Sequence, residues 1–346
     1  MSRSRQAGLF ARQAEACDSL GSPLYADLLR RCADDVDAGG PVAEVLRGHE
    51  DAPYDSALAL RLLGAVHRLV LDGRLPRLAA HYPSVGGDGD AEAAWLVLRG
   101  VLDDRADELR PLLDIAPQTN EVGRAAALLG GLLHVAAAFE LPVELHEIGS
   151  SAGLNLHADA FCYRDADGAQ LWGPLDSPVV LGDAWRGRLP PTGAPLTVAH
   201  RLGSDVRPLD PASERDVTTL LAYVWPDMTT RTDRLRAALT IARENPTRVD
   251  RLDAVAAAQR LRLVQGRAVV LWHSVMWQYI DGDSRAAVSA RLEDLGAKAS
   301  EQAPLAHLSL EPAPGTPELM VVLQTWPGSR RILASARPHG PPVEWA

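Results

Sequence analysis

The sequence predicts an α/β fold in which an N-terminal helical domain precedes a core built on a seven-stranded sheet. Up to about residue 140, apolar residues recur at helical spacing and no convincing strand appears. After Pro142 the pattern changes to short β-like runs, and helical stretches separate the earlier ones. The expected organisation is therefore a helical domain over residues 1–140 and an α/β core over residues 141–346.

The composition is that of a globular protein and excludes several classes. The 346 residues include 35 basic and 45 acidic side chains, which gives a net charge of −10, and 47% of the residues are hydrophobic. This length is typical of two domains, and the apolar content excludes wholesale disorder. The chain has no basic block, so we expect no nucleic-acid partner, because phosphate binding needs a clustered positive surface.

Cysteine usage and hydropathy indicate a cytoplasmic protein. Cys17, Cys32 and Cys162 are too few and too scattered for a disulfide framework or a structural zinc site. The N-terminus has no unbroken apolar core of the signal-peptide kind. The longest apolar run, 125–139, is shorter than the ~20 residues that a membrane span needs. We therefore expect a cytoplasmic protein with no membrane association.

Four apolar stripes predict the helices of the first 140 residues. Ser22-Pro23 has the form of an N-cap followed by proline at the first helical position. Asp72-Gly73 ends the second stripe, and Asn120 is placed to cap the fourth. The predicted helices cover residues 22–36, 58–70, 95–102 and 120–139.

Seven β-like runs predict the sheet. They cover residues 143–148, 196–205, 247–254, 267–275, 305–312, 318–326 and 330–338. Only Pro327-Gly328-Ser329 joins the last two runs, which indicates an antiparallel hairpin. Residues 158–195 are rich in proline and glycine, and we interpret them as an insertion of irregular or short β structure.

The segment Glu147-Ile-Gly-Ser-Ser-Ala-Gly153 fits two functional patterns. Gly149-x-Ser151-x-Gly153 is the nucleophile-elbow pattern of α/β-hydrolases, in which a serine lies on a strained strand-to-helix turn. The same residues resemble the first motif of S-adenosylmethionine-dependent methyltransferases, with serine in place of the middle glycine. There, small residues let the backbone approach the cofactor and helix-start N–H groups bind its carboxylate. An ordinary tight βα turn in a doubly wound sheet also favours small residues.

The order of the runs favours the methyltransferase interpretation. A hydrolase elbow normally follows several strands, whereas everything before Glu147 is predicted to be helical. A Rossmann-like, methyltransferase-type sheet begins at the glycine turn and ends in an antiparallel hairpin. The resemblance implies that Asp205, after the second run, binds the cofactor's ribose hydroxyls and that Asp253, after the third, meets its adenine amine. The full set of candidate cofactor ligands is Glu147, Gly149, Ser151, Gly153, Asn155, Asp205, Asp253 and Asn120.

His273 is the best-placed candidate for a catalytic base. It ends the fourth run, and an imidazole with a pKa near 6.5 can accept a proton from the group that is methylated. A half-buried histidine hydrogen-bonded at a strand end is the structural alternative. Tyr279 is a candidate for the acceptor pocket and Glu311, which ends the fifth run, for orienting the acceptor. No histidine pair has metal-ligand spacing, so we expect no metal.

Ordered blocks along the whole chain resemble the bacterial family called domain of unknown function 2332. The blocks include GSPLYADLL, HRLVLDGRLP, YPSVGG, QTNEVGRAAALL, EIGSSAGLNLHAD, GSDVRPLD, YVWPDM, WHSVMWQY, LSLEP and WPGSRR. This resemblance implies no activity. The strand order therefore leads to the expectation of an S-adenosylmethionine-dependent methyltransferase with a small-molecule acceptor, in an unassigned oligomeric state. The alternatives are a serine hydrolase using Ser151 and a non-catalytic nucleotide-binding protein.

Overall fold

The computed structural model describes residues 4–53, 56–313, 315 and 318–346, and the chain divides into two compact units. The helical unit comprises Met1–Thr119 and Glu214–Asp233, and the sheet unit comprises Asn120–Ser213 and Arg234–Ala346. This division differs from a boundary at residue 140 in two respects: the predicted fourth helix belongs to the sheet unit, and residues 214–233 belong to the helical unit.

The helices begin and end as follows. The α-helices are α1 (Arg5–Ser19), α2 (Pro23–Asp37), α3 (Pro41–Val45), α4 (Leu58–Leu71), α5 (Pro76–Ala79), α6 (Ala91–Asp104), α7 (Ala106–Leu109), α8 (Ala125–Phe139), α9 (Glu214–Ala222), α10 (Thr229–Glu244), α11 (Ala254–Arg260) and α12 (Gly282–Gly296). Short 3₁₀ helices cover Pro83–Val85, Arg110–Asp114, Val122–Arg124, Leu154–Ala160 and Trp277–Tyr279.

In the helical unit, α1, α2 and α4 bury one apolar face each around a common core. Leu28, Leu29, Leu62 and Leu63 are completely excluded from solvent there. Pro23 is at the first position of α2, as predicted, but the Ser22 side chain forms no cap bond. Asp227 caps the helix instead, since its Oδ2 accepts a hydrogen bond from the Leu24 amide at 2.9 Å.

The strands form one large sheet and one small one. They are β1 (Val143–Ile148), β2 (Cys162–Arg164), β3 (Gln170–Trp172), β4 (Val180–Leu181), β5 (Trp185–Gly187), β6 (Val198–Asp205), β7 (Val249–Arg251), β8 (Ala268–Ser274), β9 (Leu305–Pro312), β10 (Leu319–Trp326), β11 (Arg330–Arg337) and β12 (Gly340–Trp345). The large sheet has the order β5-β12-β11-β10-β9-β8-β1-β6-β7, and β3, β2 and β4 form the small one. The residues predicted as an insertion, 158–195, contain β2 to β5.

The large sheet has nine strands, so the expectation of seven was wrong. Each of the seven predicted runs contains a strand, and the additional two are β5 and β12. Strand β12 was not predicted because it contains Pro341 and Pro342, and proline, which cannot donate a hydrogen bond to a strand ladder, argues against a strand. β5 is only three residues long and pairs in parallel with β12 at the edge of the sheet.

Five adjacent strands of the sheet are parallel and give it a doubly wound core. These are β7, β6, β1, β8 and β9, whereas β10, β11 and β12 continue as an antiparallel meander. Chain order reverses at β1, whose neighbours are β6 on one side and β8 on the other. In open α/β sheets such a switch point is where ligands bind, outside the carboxyl ends of the strands.

Helix α8 covers one face of the sheet. Its surface is apolar nearly all round, and it packs against β8, β9 and β12. Gly131 lets Leu308 approach closely, and Gly130 does the same for Trp345. Among the described residues, Val122–Phe139 is the one segment long and apolar enough to cross a membrane, but 72% of it is buried, as in the core helix of a soluble protein. This packing assigns α8 to the sheet unit.

Candidate functional site

The glycine turn that follows β1 is a tight loop held against the end of β6. The amides of Gly149 and Ser150 both donate to the Ser204 carbonyl, at 2.8 and 3.1 Å. Gly149, Ser151 and Gly153 all have positive φ, at 69°, 54° and 72°. A left-handed conformation is strained for serine, so the turn is maintained by its surroundings.

Asp205 ties this turn to β6. Its Oδ2 accepts a hydrogen bond from the Ser151 amide at 2.9 Å, and its Oδ1 accepts one from the Arg207 amide at 2.8 Å. The residue predicted to bind ribose hydroxyls therefore has both carboxylate oxygens on protein backbone. Each oxygen retains acceptor capacity, because a carboxylate has about four lone-pair sites.

Asn120 and Asn155 surround the turn from the other side. Asn120 does not cap the helix that follows it; its Oδ1 accepts from the Ala152 and Leu154 amides, at 3.2 and 3.0 Å. Asn155 donates its Nδ2 to the Glu121 carbonyl at 3.2 Å. Both side chains thus fix the start of the short helix Leu154–Ala160, whether or not either also meets a ligand.

Glu147 is a buried acid at the carboxyl end of β1, the strand at which chain order reverses. It is 3% exposed, and its Oε1 accepts a hydrogen bond from Trp272 Nε1 at 3.1 Å. Its pKa is raised to about 8, because the effect of burial outweighs the opposing effect of the Trp272 hydrogen bond. At neutral pH the side chain is therefore mainly protonated, which is the form that a low-dielectric site favours.

Three buried polar atoms of the segment 147–155 have no hydrogen-bond partner among the described residues: Glu147 Oε2, Ser151 Oγ and Asn155 Oδ1. Their residues are at most 3% exposed. Buried polar groups are nearly always satisfied in native proteins, so each such atom calls for an explanation. A ligand or ordered water that hydrogen-bonds to these atoms is the simplest one.

The small residues of the turn also accommodate the protein's own side chains. A Cβ atom at Gly149 would come within 3.1 Å of Cβ and Cγ of Met276, and one at Gly153 within 2.9 Å of Val249 Cγ2. A cleft of about 20 Å³ bounded by Glu147, Ser204 and Leu261 has room for one water. A larger ligand over Gly149 requires Met276 to move.

Asp253 acts as a helix cap. Its Oδ1 accepts a hydrogen bond from the Ala256 amide at 2.7 Å, and the side chain is exposed at the start of α11. This role accounts for an acid after β7 without the adenine contact that was predicted.

His273 and Glu311 form a hydrogen-bonded pair at the ends of β8 and β9. His273 is 2% exposed, and its Nδ1 lies 2.7 Å from Glu311 Oε1. The same carboxylate oxygen accepts hydrogen bonds from the amides of Met276 and Trp277, at 3.1 and 3.3 Å. The Trp277 ring stacks on the imidazole with centroids 4.6 Å apart. Tyr279, two residues further, is 73% exposed.

His307 is a member of this cluster that the sequence did not reveal. Its Nε2 lies 2.9 Å from His273 Nε2. Its pKa is lowered to about 3, mainly by burial and additionally by the charges of His273 and Arg330. The available signal was spacing, since His307 and Glu311 are four residues apart on one strand and therefore share a face.

The predicted convergence of acids and His273 is only partial. Glu147 pairs with Trp272 across β1 and β8, so these two side chains share a face of the sheet, and the adjacent His273 has the opposite face. Glu147, Gly149, Ser151, Asp205, Asn120 and Asn155 gather at the turn. Met276 links the two groups, because it packs over Gly149 and donates its amide to Glu311.

No group of three or more His, Cys, Asp or Glu in the described ranges is arranged to hold a metal ion. Comparison with curated proteins and with solved structures gives no significant match. A family model described as "Uncharacterized protein conserved in bacteria (DUF2332)" matches residues 7–345. With nearly the whole chain matched, this protein belongs to the DUF2332 family.

Proposed function

We propose that this protein is an S-adenosylmethionine-dependent methyltransferase with a small-molecule acceptor. The observation that carries the proposal is Oε2 of Glu147, a buried carboxyl oxygen that lies at the switch point of a doubly wound sheet and has no partner in the described part of the chain. An acid there, next to a turn of small residues, suits a ligand with an ammonium group and an extended polar chain. S-adenosylmethionine has both features.

The residues around the turn suit such a cofactor in charge and hydrogen bonding. Glu147, in its ionised form, would accept the ammonium group, and a cation would stabilise the carboxylate that burial disfavours. Ser151 Oγ and Asn155 Oδ1 supply further acceptors. Asp205 retains lone pairs for hydroxyl groups at the end of β6. When bound, the cofactor supplies an electrophilic methyl group.

The acceptor must lose a proton as its oxygen or nitrogen is methylated. Glu311 accepts from His273 Nδ1, so Nε2 is the basic atom of the imidazole, and the acceptor's proton would reach it through His307, whose Nε2 lies 2.9 Å away. Positioning of the acceptor supplies much of the remaining acceleration in a direct displacement. In the described arrangement Met276 and Trp277 cover this region, so the proposal includes displacement of the 275–279 segment on binding.

Calorimetry with S-adenosylmethionine and with its demethylated product tests the proposal. We expect both to bind the wild-type chain, and Glu147→Gln to weaken binding at least tenfold through loss of the anionic partner. Glu144→Gln is the matched control, since Glu144 is on the same strand and pairs with Arg267 instead. No heat and no thermal shift at millimolar ligand would remove the proposal. Binding without methylation of any acceptor in a lysate would favour the non-catalytic nucleotide-binding alternative.

A serine hydrolase is the second candidate, favoured by one observation. Ser151 has the positive φ of a strained turn, as a nucleophile elbow requires. A nucleophilic serine also needs a base within hydrogen-bond reach, whereas Ser151 Oγ has no partner among the described residues. Covalent labelling of Ser151 by a fluorophosphonate would support this candidate. The methyltransferase proposal expects no labelling and expects Ser151→Gly to retain cofactor binding.

A further inference from the structure

Glu311, His273 and His307 form a continuous hydrogen-bonded chain on one face of the sheet. Glu311 Oε1 and His273 Nδ1 are 2.7 Å apart, and the two Nε2 atoms of the imidazoles are 2.9 Å apart. Trp277 covers the chain, with its ring centroid 4.6 Å from that of His273 and 6.3 Å from that of His307. Two nitrogens at 2.9 Å without a proton between them would repel, so one proton lies in this contact.

The donors in this chain follow from Glu311. Its Oε1 already accepts two backbone amides, from Met276 and Trp277, so this oxygen is an acceptor and His273 Nδ1 must donate to it. In neutral His273 the Nε2 atom is then bare and accepts from His307 Nε2–H. In protonated His273 the direction reverses, and His307 Nε2 accepts.

We propose that His273 and His307 share a single exchangeable proton, and that His307 relays protons to the Nε2 atom of His273. Proton uptake then proceeds in one balanced step. A proton binds His307 Nδ1, the Nε2–H proton of His307 passes to His273 Nε2, and the products are neutral His307 and an imidazolium paired with Glu311. His307 changes tautomer without becoming a cation.

The surroundings of the pair favour a neutral His307 throughout. The charged groups near it are Arg330 on β11 and protonated His273, and both disfavour a second positive charge. Glu311, on the same strand, neutralises the charge on His273 rather than on His307. The buried apolar side chains of α12, which packs against β9, are Val288, Leu292 and Leu295. The half-buried Arg291 of the same helix pairs with Asp294.

The role of this pair in methyl transfer rests on the proposed function, whereas the shared proton does not. In methyl transfer, the proton that leaves the acceptor enters the pair at His307 Nδ1 and is held as the His273–Glu311 ion pair. His307 thereby gives the base nitrogen of His273 a partner in both protonation states, which keeps the imidazole in one orientation through the reaction.

Nitrogen-15 NMR of the imidazoles in the ligand-free wild-type chain tests the proposal. At neutral pH we expect His273 as the Nδ1–H tautomer and His307 as the Nε2–H tautomer. On acidification the pair should take up one proton, with His307 changing to the Nδ1–H tautomer. A doubly protonated His307, or two independent titrations, would overturn the proposal. This result is independent of cofactor binding, so it separates failure of the pair from failure of the proposed function.

Two variants sharpen the test. Glu311→Gln keeps an acceptor for Nδ1–H but removes the charge, so proton uptake by the pair should move at least one pH unit lower. His200→Gln is the control, because His200 is exposed on β6 and should leave the tautomers of the pair unchanged. An unchanged midpoint in Glu311→Gln would contradict the ion pair. If that variant does not fold, the wild-type tautomer change alone decides.

Discussion

Met276 lies directly over Gly149, and a single added methyl group at Gly149 would come within 3.1 Å of two Met276 carbons. This contact joins the end of β1 to the segment after β8, and Glu311 holds the segment through the Met276 and Trp277 amides. Val275 has a φ of 51°, which is rare for a β-branched residue and marks this segment as strained. The space over Gly149, which the proposed cofactor would need, is thus filled by the Met276 side chain.

Met276→Ala should therefore have opposite effects on stability and on ligand affinity. Removing a half-buried methionine side chain should cost about 1–2 kcal/mol of unfolding free energy. It should also tighten S-adenosylmethionine binding several-fold, because the ligand no longer displaces Met276. Denaturant titration and calorimetry measure the two effects. Met320→Ala, which truncates a half-buried methionine on β10, should lose similar stability without a gain in affinity. Equal or weaker affinity in Met276→Ala would show that Met276 does not obstruct the ligand.

Gly149→Ala should lower stability by about 2–3 kcal/mol, from its positive φ and from the Met276 contact together. Gly86→Ala provides the comparison, since Gly86 has φ 89° and no atom within 4 Å of an added Cβ. It should lose only about 1 kcal/mol. In the double variant Gly149→Ala/Met276→Ala, the total loss of unfolding free energy should be smaller than the sum of the losses in the two single variants. Strict additivity would exclude the contact as the cause.

Stability should fall with rising pH because of Glu147. Its pKa is raised to about 8 in the folded chain, so the folded state binds more protons than the unfolded state between pH 4.5 and 8. Stability from this group is thus complete below pH 4.5 and lost as the pH rises through 8. Glu147→Gln should remove this slope, with a difference of roughly 3–5 kcal/mol between pH 5 and pH 9, at about 1.4 kcal/mol per pKa unit. Parallel stability curves for the variant and the wild type would contradict the buried acid.

His157 should produce the opposite dependence at lower pH. Burial lowers its pKa to about 4, and Arg201 contributes further. The folded state therefore holds the neutral imidazole, and stability present above pH 6.5 is lost as the pH falls through 4. His157→Gln should reduce the loss between pH 6.5 and 4 by about 3 kcal/mol. His200→Gln, at an exposed site on β6, should leave the loss unchanged.

Asn120→Ala should weaken the glycine turn without any ligand present. Its side-chain oxygen is the acceptor for two buried amides, of Ala152 and Leu154. Leaving both unpaired should cost about 2–4 kcal/mol, whereas Asn120→Asp keeps the acceptor and should recover most of the loss. Thermal unfolding of both variants measures this difference. If Asn120→Ala unfolds at the wild-type temperature, the Asn120 side chain does not stabilise the turn.

The family and the alternation of strands and helices could be predicted from the sequence because both depend on local residue patterns. Every predicted run contains a strand. For example, β8 is buried nearly along its whole length, as is typical of a parallel strand, and β10 alternates between buried and half-buried residues, as is typical of an antiparallel one. The position of α8 could not be read this way, because an apolar helix has the same pattern in a helical bundle and on a sheet. β12 was not predicted because its two prolines are unfavourable in a strand, and its strand conformation comes from pairing with β11 and β5.

The chemical types at the candidate site came from the sequence, and their geometry came only from the fold. Glu147, Asp205, His273 and Glu311 were identified from where their strands end, which is a matter of chain position. Three features depend on the register between strands that are far apart in the chain. Glu147 and His273 lie on opposite faces of the sheet, Asp205 and Asn120 accept hydrogen bonds from backbone amides, and His307 contacts His273. Register is set by packing on both faces of the sheet, and a shift of one residue would reverse every side chain, so no local pattern contains it.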